Sequence, residues 1–148
     1  MVKTGGYNIA NVYKPPSEPW EDTNPLPFLP HPAIYVGNFN SHHPDWRYDT
    51  PNNDSDTLLE WASCSDLVLV YDPKQRNTFC WERHFSPDLC WVSYSGGGPL
   101  PAGCQVLDDF PCSQHRPSLV HVGLTLPVIR AKNDGTVGRR TVTNSIFY

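Results

Sequence analysis

The sequence predicts an α+β protein, a layered α/β arrangement with mostly antiparallel pairing, and three observations lead to it. Short continuous apolar runs, AIYVG at 33–37 and LVLVY at 67–71, have the length and composition of buried strands. Only one segment, 54–64, repeats apolar residues at helical spacing after a run of capping residues. Sixteen prolines in 148 residues fix φ and remove N–H donors, which favours short strands joined by long loops over long helices.

Taken in chain order, residues 7–13 (YNIANVY) form a β-rich run that ends at Lys14-Pro15-Pro16, where two prolines stop ladder pairing. Residues 17–32 read as one proline-rich loop anchored by Trp20, Phe28 and Leu29, with room for a short helix over 21–29. The strand at 33–37 delivers the chain into the polar turn Asn38-Phe39-Asn40-Ser41-His42-His43. Asp54 to Thr57 can cap free N–H groups, and Leu58, Leu59, Trp61 and Ala62 then give the helix an apolar stripe. Strands are expected at 67–71, 78–81 and 88–94, the last broken by Ser95-Gly96-Gly97-Gly98-Pro99. An edge strand over 105–110 and a final strand over 118–126 complete the pattern. From residue 130 the apolar pattern is lost, so 130–148 is expected to be a peripheral or disordered tail. One domain over 1–129 accounts for the rest.

A net charge of −4 denies the chain an overall basic field, so contact with nucleic acid must be local. No run reaches the length of a membrane span, and the first residues lack the apolar core of a signal peptide; an intracellular, cytoplasmic or nuclear location follows as the expectation, with no membrane partner. Five cysteines, odd in number and without CxxC spacing, read as reduced thiols rather than a disulfide framework or zinc knuckle. GxGxxG and GxxxxGK[ST] are absent, which removes the simplest nucleotide-binding readings.

Polar residues that could carry chemistry gather at expected strand ends: Tyr13 in NVYKPP, Asn38 and Asn40 in GNFNSHH, Asp88 in SPDLCW, and Gln114 and His115 in SQHRPS. Tyr13-Lys14-Pro15, Gly37-Asn38-Phe39-Asn40, Ser86-Pro87-Asp88-Leu89 and Ser113-Gln114-His115-Arg116-Pro117 follow one another as four turns in a fixed order. In that order they resemble the turns of the endonuclease/exonuclease/phosphatase superfamily. The text VYKPPSEPW, LLEWASCSDLVLVYDPKQ, SPDLCWVS and HRPSLVHVGLTLPVI is similar to the C-terminal half of a LINE-type, non-LTR retrotransposon endonuclease domain, from about Gly5 to Ile129.

The resemblance implies part of a two-sheet α/β sandwich whose N-terminal half is missing, with an exposed sheet face open to self-association. It also implies a Mg²⁺-dependent DNA endonuclease that nicks a phosphodiester bond before target-primed reverse transcription. His115 would contact the scissile phosphate with Asp88 fixing its tautomer, Asn40 would position phosphate or water, and Tyr13 would donate to phosphate or leaving group. Two departures count against catalysis. Asn38 stands where the family has the aspartate that activates water, and Gln114 stands at an aspartate near the metal. An amide is neutral, takes no proton from water near neutral pH and is a poorer magnesium ligand than a carboxylate. The glutamate that binds magnesium directly has no counterpart here. The expectation is a truncated, catalytically impaired pseudoenzyme with weak or absent Mg²⁺ binding and weak DNA binding at most. Its rivals are a noncatalytic nucleic-acid or protein-binding module and a relic without selected function.

Blander readings stand beside these. Asparagines in turns serve their own backbone, and an Asp–His pair can be purely structural. His42, His43 and Asp45 invite a metal, yet adjacent loop histidines more often project into solvent. Trp46, Trp61, Trp81 and Trp91 fit a core better than base-stacking platforms, and Arg139-Arg140 is too short for a nucleic-acid patch.

Overall fold

A computed structural model describes residues 2–21, 24–79, 85–108, 113–127 and 139–147, with side chains described between Gly5 and Gly123. Its first sheet contains β1 (Val2–Thr4), β2 (Tyr7–Tyr13), β3 (Ala33–Asn38), β4 (Leu67–Leu69), β5 (Asp88–Ser95) and β6 (Gly98–Pro99). The strands run in the order β1-β2-β3-β5-β4, with β6 hairpinned onto β5. Only β2 and β3 are parallel; the other pairs are antiparallel. A second sheet holds β7 (Ala102–Val106), β8 (Ser118–Pro127) and β9 (Arg139–Phe147), all antiparallel. One α-helix, α1 (Asn53–Cys64), and a 3₁₀ turn at Pro44–Trp46 complete the described elements. The chain is therefore α+β with two sheets, as its sequence predicts.

Alternation along the strands sorts the core into two layers. Ala33, Tyr35, Leu89 and Trp91 face α1 and the loops, where they meet Leu58, Trp61, Ala62, Trp46, Phe39 and Leu29. Ile34, Val36, Cys90 and Val92 face the other way, onto Val120 and Val122 of β8 and Leu100. Period-two burial on both faces explains why these runs read as continuously apolar. Trp61 is 1% exposed and meets Tyr35 edge-to-face at 5.0 Å, so its truncation to alanine would cost about 3–5 kcal/mol.

The helix starts where its capping residues place it. Asn52 accepts from the Ser55 amide at 3.0 Å while Ser55 Oγ accepts from the Asn52 amide, a reciprocal cap, and Asp54 and Asp56 sit in the positive first turn. No described helix is long and apolar enough to cross a membrane.

Several expectations change in detail. The strand at 67–71 is classed only to Leu69, although the Val70 amide still donates to the Cys90 carbonyl. At 78–81 there is a single bridge, Phe79 to His115, with Cys80 and Trp81 outside the described residues. The edge strand falls at Ala102–Val106 rather than 105–110, because Gly98 and Leu100 turn the chain back onto β5 sooner than the glycine run suggests; residues 109 and 110 lie outside the described set. Residues 24–29 are not helical, since four prolines between 25 and 32 remove amide donors. The hairpin strand β1 has no counterpart in the expected elements. In the segment expected to be a tail, β9 pairs with β8 through a register running from Leu119–Phe147 to Pro127–Arg139. Arg139 and Arg140, read above as too short for a patch, are ladder residues. Between 102 and 123 the outer face of this sheet presents Gly103, Gln105, Leu119 and His121, a mixed rather than continuously apolar surface.

Candidate active site

Three strand ends form one row. Tyr13 on β2 is the register partner of Asn38 on β3, and Asn38 is the partner of Asp88 on β5. Cross-strand partners share a face, and the parity of Asn38 with Ile34 and Val36 turns this row toward the second sheet. From that side the loop before β8 brings His115. Tyr13, Asn38, Asp88 and His115 line a cavity of about 350 Å³ together with Ser113, Arg116 and Pro117.

Gly37 explains why a glycine precedes Asn38. At φ +148°, a Cβ here would lie 1.9 Å from the Val12 carbonyl oxygen and 2.8 Å from the Val12 nitrogen. Only glycine lets β2 and β3 approach this closely beside the site. Past the strand, Asn38 Oδ1 accepts from the Asn40 amide at 3.0 Å, and the Asn40 side-chain amide donates to the Lys14 carbonyl at 2.7 Å. The Lys14 amide in turn donates to the Asn38 carbonyl. Asn40, at φ 43°, adopts a left-handed turn that asparagine tolerates. The two asparagines thus build the turn as well as edge the site, and Asn40 does not line the cavity.

His115 Nδ1 lies 2.7 Å from Asp88 Oδ2, with the Asp88 side chain nearly buried at 7% and the histidine one-third exposed. The hydrogen bond to Asp88 raises the His115 pKa above the ordinary histidine value, against an opposing effect of burial. Nδ1–H donates to the carboxylate, leaving Nε2 for a ligand. Around the pair, the His115 amide donates to Ser113 Oγ, the Phe79 ring meets the imidazole edge-on at 5.4 Å, and the Asp88 amide donates to Thr78 Oγ1. Arg116 donates to the Asn77 and Phe79 carbonyls at 2.9 Å, which ties this loop to the 77–79 segment. Gln114 is exposed and does not line the cavity.

Beneath the row lies a pair that the sequence reading misses. Lys14 is 3% exposed, and its ammonium sits 2.8 Å from Asp54 Oδ2 and 5.6 Å above the Trp20 ring. Asp54 also accepts from the Trp20 amide at 3.0 Å. The available signal was parity: Lys14 follows Tyr13 and must point to the opposite, apolar face, where a lysine needs an anion.

Of the other metal candidates, His43 Nδ1 accepts from the Asp45 amide, caps the 3₁₀ turn and lies 3.4 Å from the Asp45 carboxylate, while the His42 ring leaves this pair and stacks on Tyr48. Among the described residues no group of three or more His, Cys, Asp or Glu side chains could hold a metal ion. The donor set agrees: Asn38 in the cavity is an amide, Gln114 is an amide outside it, and Asp88 is committed to His115, so these residues do not fit Mg²⁺. Cys64, Cys90 and Cys104 are free thiols, with Cys80 and Cys112 outside the described residues. Burial pushes the Cys90 thiol up and the Cys104 thiol up to about 11, so neither is a nucleophile near neutral pH.

A family model described as endonuclease-reverse transcriptase matches residues 7–119, a span that includes every candidate site residue. No curated protein matches the chain.

Proposed function

Since the chain belongs to the endonuclease-reverse transcriptase family, and so carries an endonuclease-type domain of a retroelement within the endonuclease/exonuclease/phosphatase superfamily, we propose that its cavity is a DNA phosphodiester site that binds better than it cleaves. The observation that carries this reading is the aligned row of Tyr13, Asn38 and Asp88 facing His115. Each of these groups can serve a phosphate. Tyr13, 72% exposed, offers a hydroxyl donor, the Asn38 side chain an amide donor, and His115 Nε2 a donor whose protonated form Asp88 stabilises.

Hydrolysis needs more. A water must lose a proton, and Asn38 cannot take it; its oxygen is in any case engaged by the Asn40 amide. Replacing a general base by a neutral group costs about 10²–10⁴ in rate. The Mg²⁺ that the family implies would supply charge to the phosphoryl group, but the donor set described above does not fit it. Impaired catalysis follows, and a noncatalytic nucleic-acid-binding module is the second reading, favoured by the same amide at position 38.

The test pairs two assays on the whole chain. Supercoiled-plasmid nicking with and without Mg²⁺ should show no cleavage attributable to the site, and DNA binding should fall with rising salt and weaken in His115→Ala. Strong Mg²⁺-dependent nicking lost in His115→Ala would overturn the impairment. Absence of any salt-dependent DNA binding would overturn the phosphodiester site.

A further inference from the structure

A column of three aromatic rings packs in the layer on the α1 side of the first sheet, whose strand ends carry the candidate site. The Phe85 ring lies parallel to Tyr48 at 4.5 Å and 8°, and the Tyr48 ring lies parallel to His42 at 4.1 Å and 11°. Tyr48 is buried and His42 exposed, so the column runs from the core to the solvent and His42 is its outer end. One face of the imidazole is covered by Tyr48, which leaves its exposure to the far face and edges. From this geometry we propose that His42 is a stacking platform for an unpaired nucleobase of the DNA strand whose phosphate the cavity takes.

The ring is held in place before any ligand arrives. The His42 amide donates to Asn52 Oδ1 at 3.0 Å and its carbonyl accepts from the Asn52 amide at 3.0 Å, fixing its backbone to the cap of α1. A platform so anchored loses little freedom on binding. Position also fits. His42 follows Asn40 by two residues, and the inner end of the column, Phe85, precedes Asp88 by three. The Tyr48 hydroxyl is close enough to Asp88 for that carboxylate to add to burial in raising its pKa. Burial, reinforced by Lys14, lowers the His42 pKa, so the ring is a neutral π surface near neutral pH rather than a cation aimed at phosphate. A neutral flat ring backed by two parallel rings recognises another flat ring, and stacking is tolerant of base identity. Among the charged groups nearby, Lys14 and Asp54 are paired with each other, so the phosphate charge is left to the cavity.

This inference rests on the nucleic-acid reading of the cavity, and its test separates the two. Binding of the full chain is measured to a short oligodeoxythymidylate and to an abasic oligomer with the same number of phosphates. Wild type should prefer the thymidylate. His42→Ala should weaken thymidylate binding roughly tenfold, within the range that stacking one base on a side-chain ring provides, and leave abasic binding unchanged. His42→Phe should keep the preference. Equal binding of both oligomers by wild type, or unchanged thymidylate binding in His42→Ala, would overturn the platform and leave the phosphate site standing. Equal losses for both oligomers in His42→Ala would also overturn it, by assigning His42 a structural role. Binding of neither oligomer by wild type would overturn both readings.

Discussion

Removing either member of the Lys14–Asp54 pair should destabilise the protein unequally. The side chains are 2% and 16% exposed, so the ammonium is the more deeply desolvated partner. Asp54→Asn would keep one side-chain oxygen, for which the ammonium and the Trp20 amide then compete, and would leave the buried charge without a counter-ion, beside the Trp20 ring and the Pro15 carbonyl at a weak 3.4 Å. Breaking a buried pair in this way costs about 3–5 kcal/mol. Lys14→Met instead leaves Asp54 with the Trp20 amide, the first turn of α1 and partial solvent, three sources of relief. Its cost should be near that of one charge-assisted hydrogen bond, about 2 kcal/mol. The double variant should cost clearly less than the sum. Urea unfolding of the wild type, both single variants and the double variant measures all four corners of the cycle. A Lys14→Met loss equal to or larger than that of Asp54→Asn, or strict additivity, would refute the argument from burial. Because the Lys14 carbonyl accepts from the Asn40 side chain, both variants should also loosen the turn at the site, visible as faster exchange of the Asn40 side-chain amide protons.

Gly37→Ala should prevent the β2–β3 approach and cost more than about 3 kcal/mol, read as a loss of the folded state in circular dichroism; a melting temperature within a few degrees of wild type would contradict it. The His115 pKa is raised in the fold, so its contribution to stability is complete below the unfolded histidine value and is lost as pH rises through the raised one. Urea midpoints across that window should therefore fall with pH, and Asp88→Asn should flatten the trend. Asn38→Asp with Gln114→Asp should not restore strong Mg²⁺-dependent plasmid nicking, because position 114 does not line the cavity and Asp88 stays engaged with His115, so position 38 alone would offer an uncommitted carboxylate; robust cleavage by the double variant would overturn that. A chain ending at Pro127 loses β9 and exposes one edge of β8, so it should self-associate more strongly than the full chain in light scattering; equal scattering would contradict this.

Much of this architecture is legible in the sequence because burial on both faces writes itself as unbroken apolar runs. Those at 33–37 and 88–94 became β3 and β5, and the capped, striped segment became α1. The four ordered turns supplied the site. Tyr13, Asn38, Asp88 and His115 meet although a hundred residues separate the first from the last, because strand register carries each turn to one end of the sheets. Asn40 and Gln114 belong to the same turns, but the left-handed turn at Asn40 sends its side chain to the Lys14 carbonyl and Gln114 is exposed, so neither lines the cavity. What stayed illegible depends on long-range partners. Nothing local announces that Lys14 finds Asp54, forty residues on, or that His42 lies on Tyr48. The ladder of β9 lacks an apolar signature because backbone pairing, unlike burial, leaves little trace in residue type.

The bond from the Asn40 amide to Asn38 Oδ1 separates the durability of the turn from the chemistry of the site. A carboxylate oxygen would accept that bond equally well, so either residue at 38 closes the same turn over the same glycine. Codons for asparagine and aspartate differ by one base. A copy of this element can therefore lose its proton acceptor in a single step with no penalty to folding, and a later reversal would return the acceptor to a scaffold already in register. Selection for a folded chain alone would not resist the loss, whereas the reversal would set a second carboxylate opposite Asp88 and would need a reason beyond folding.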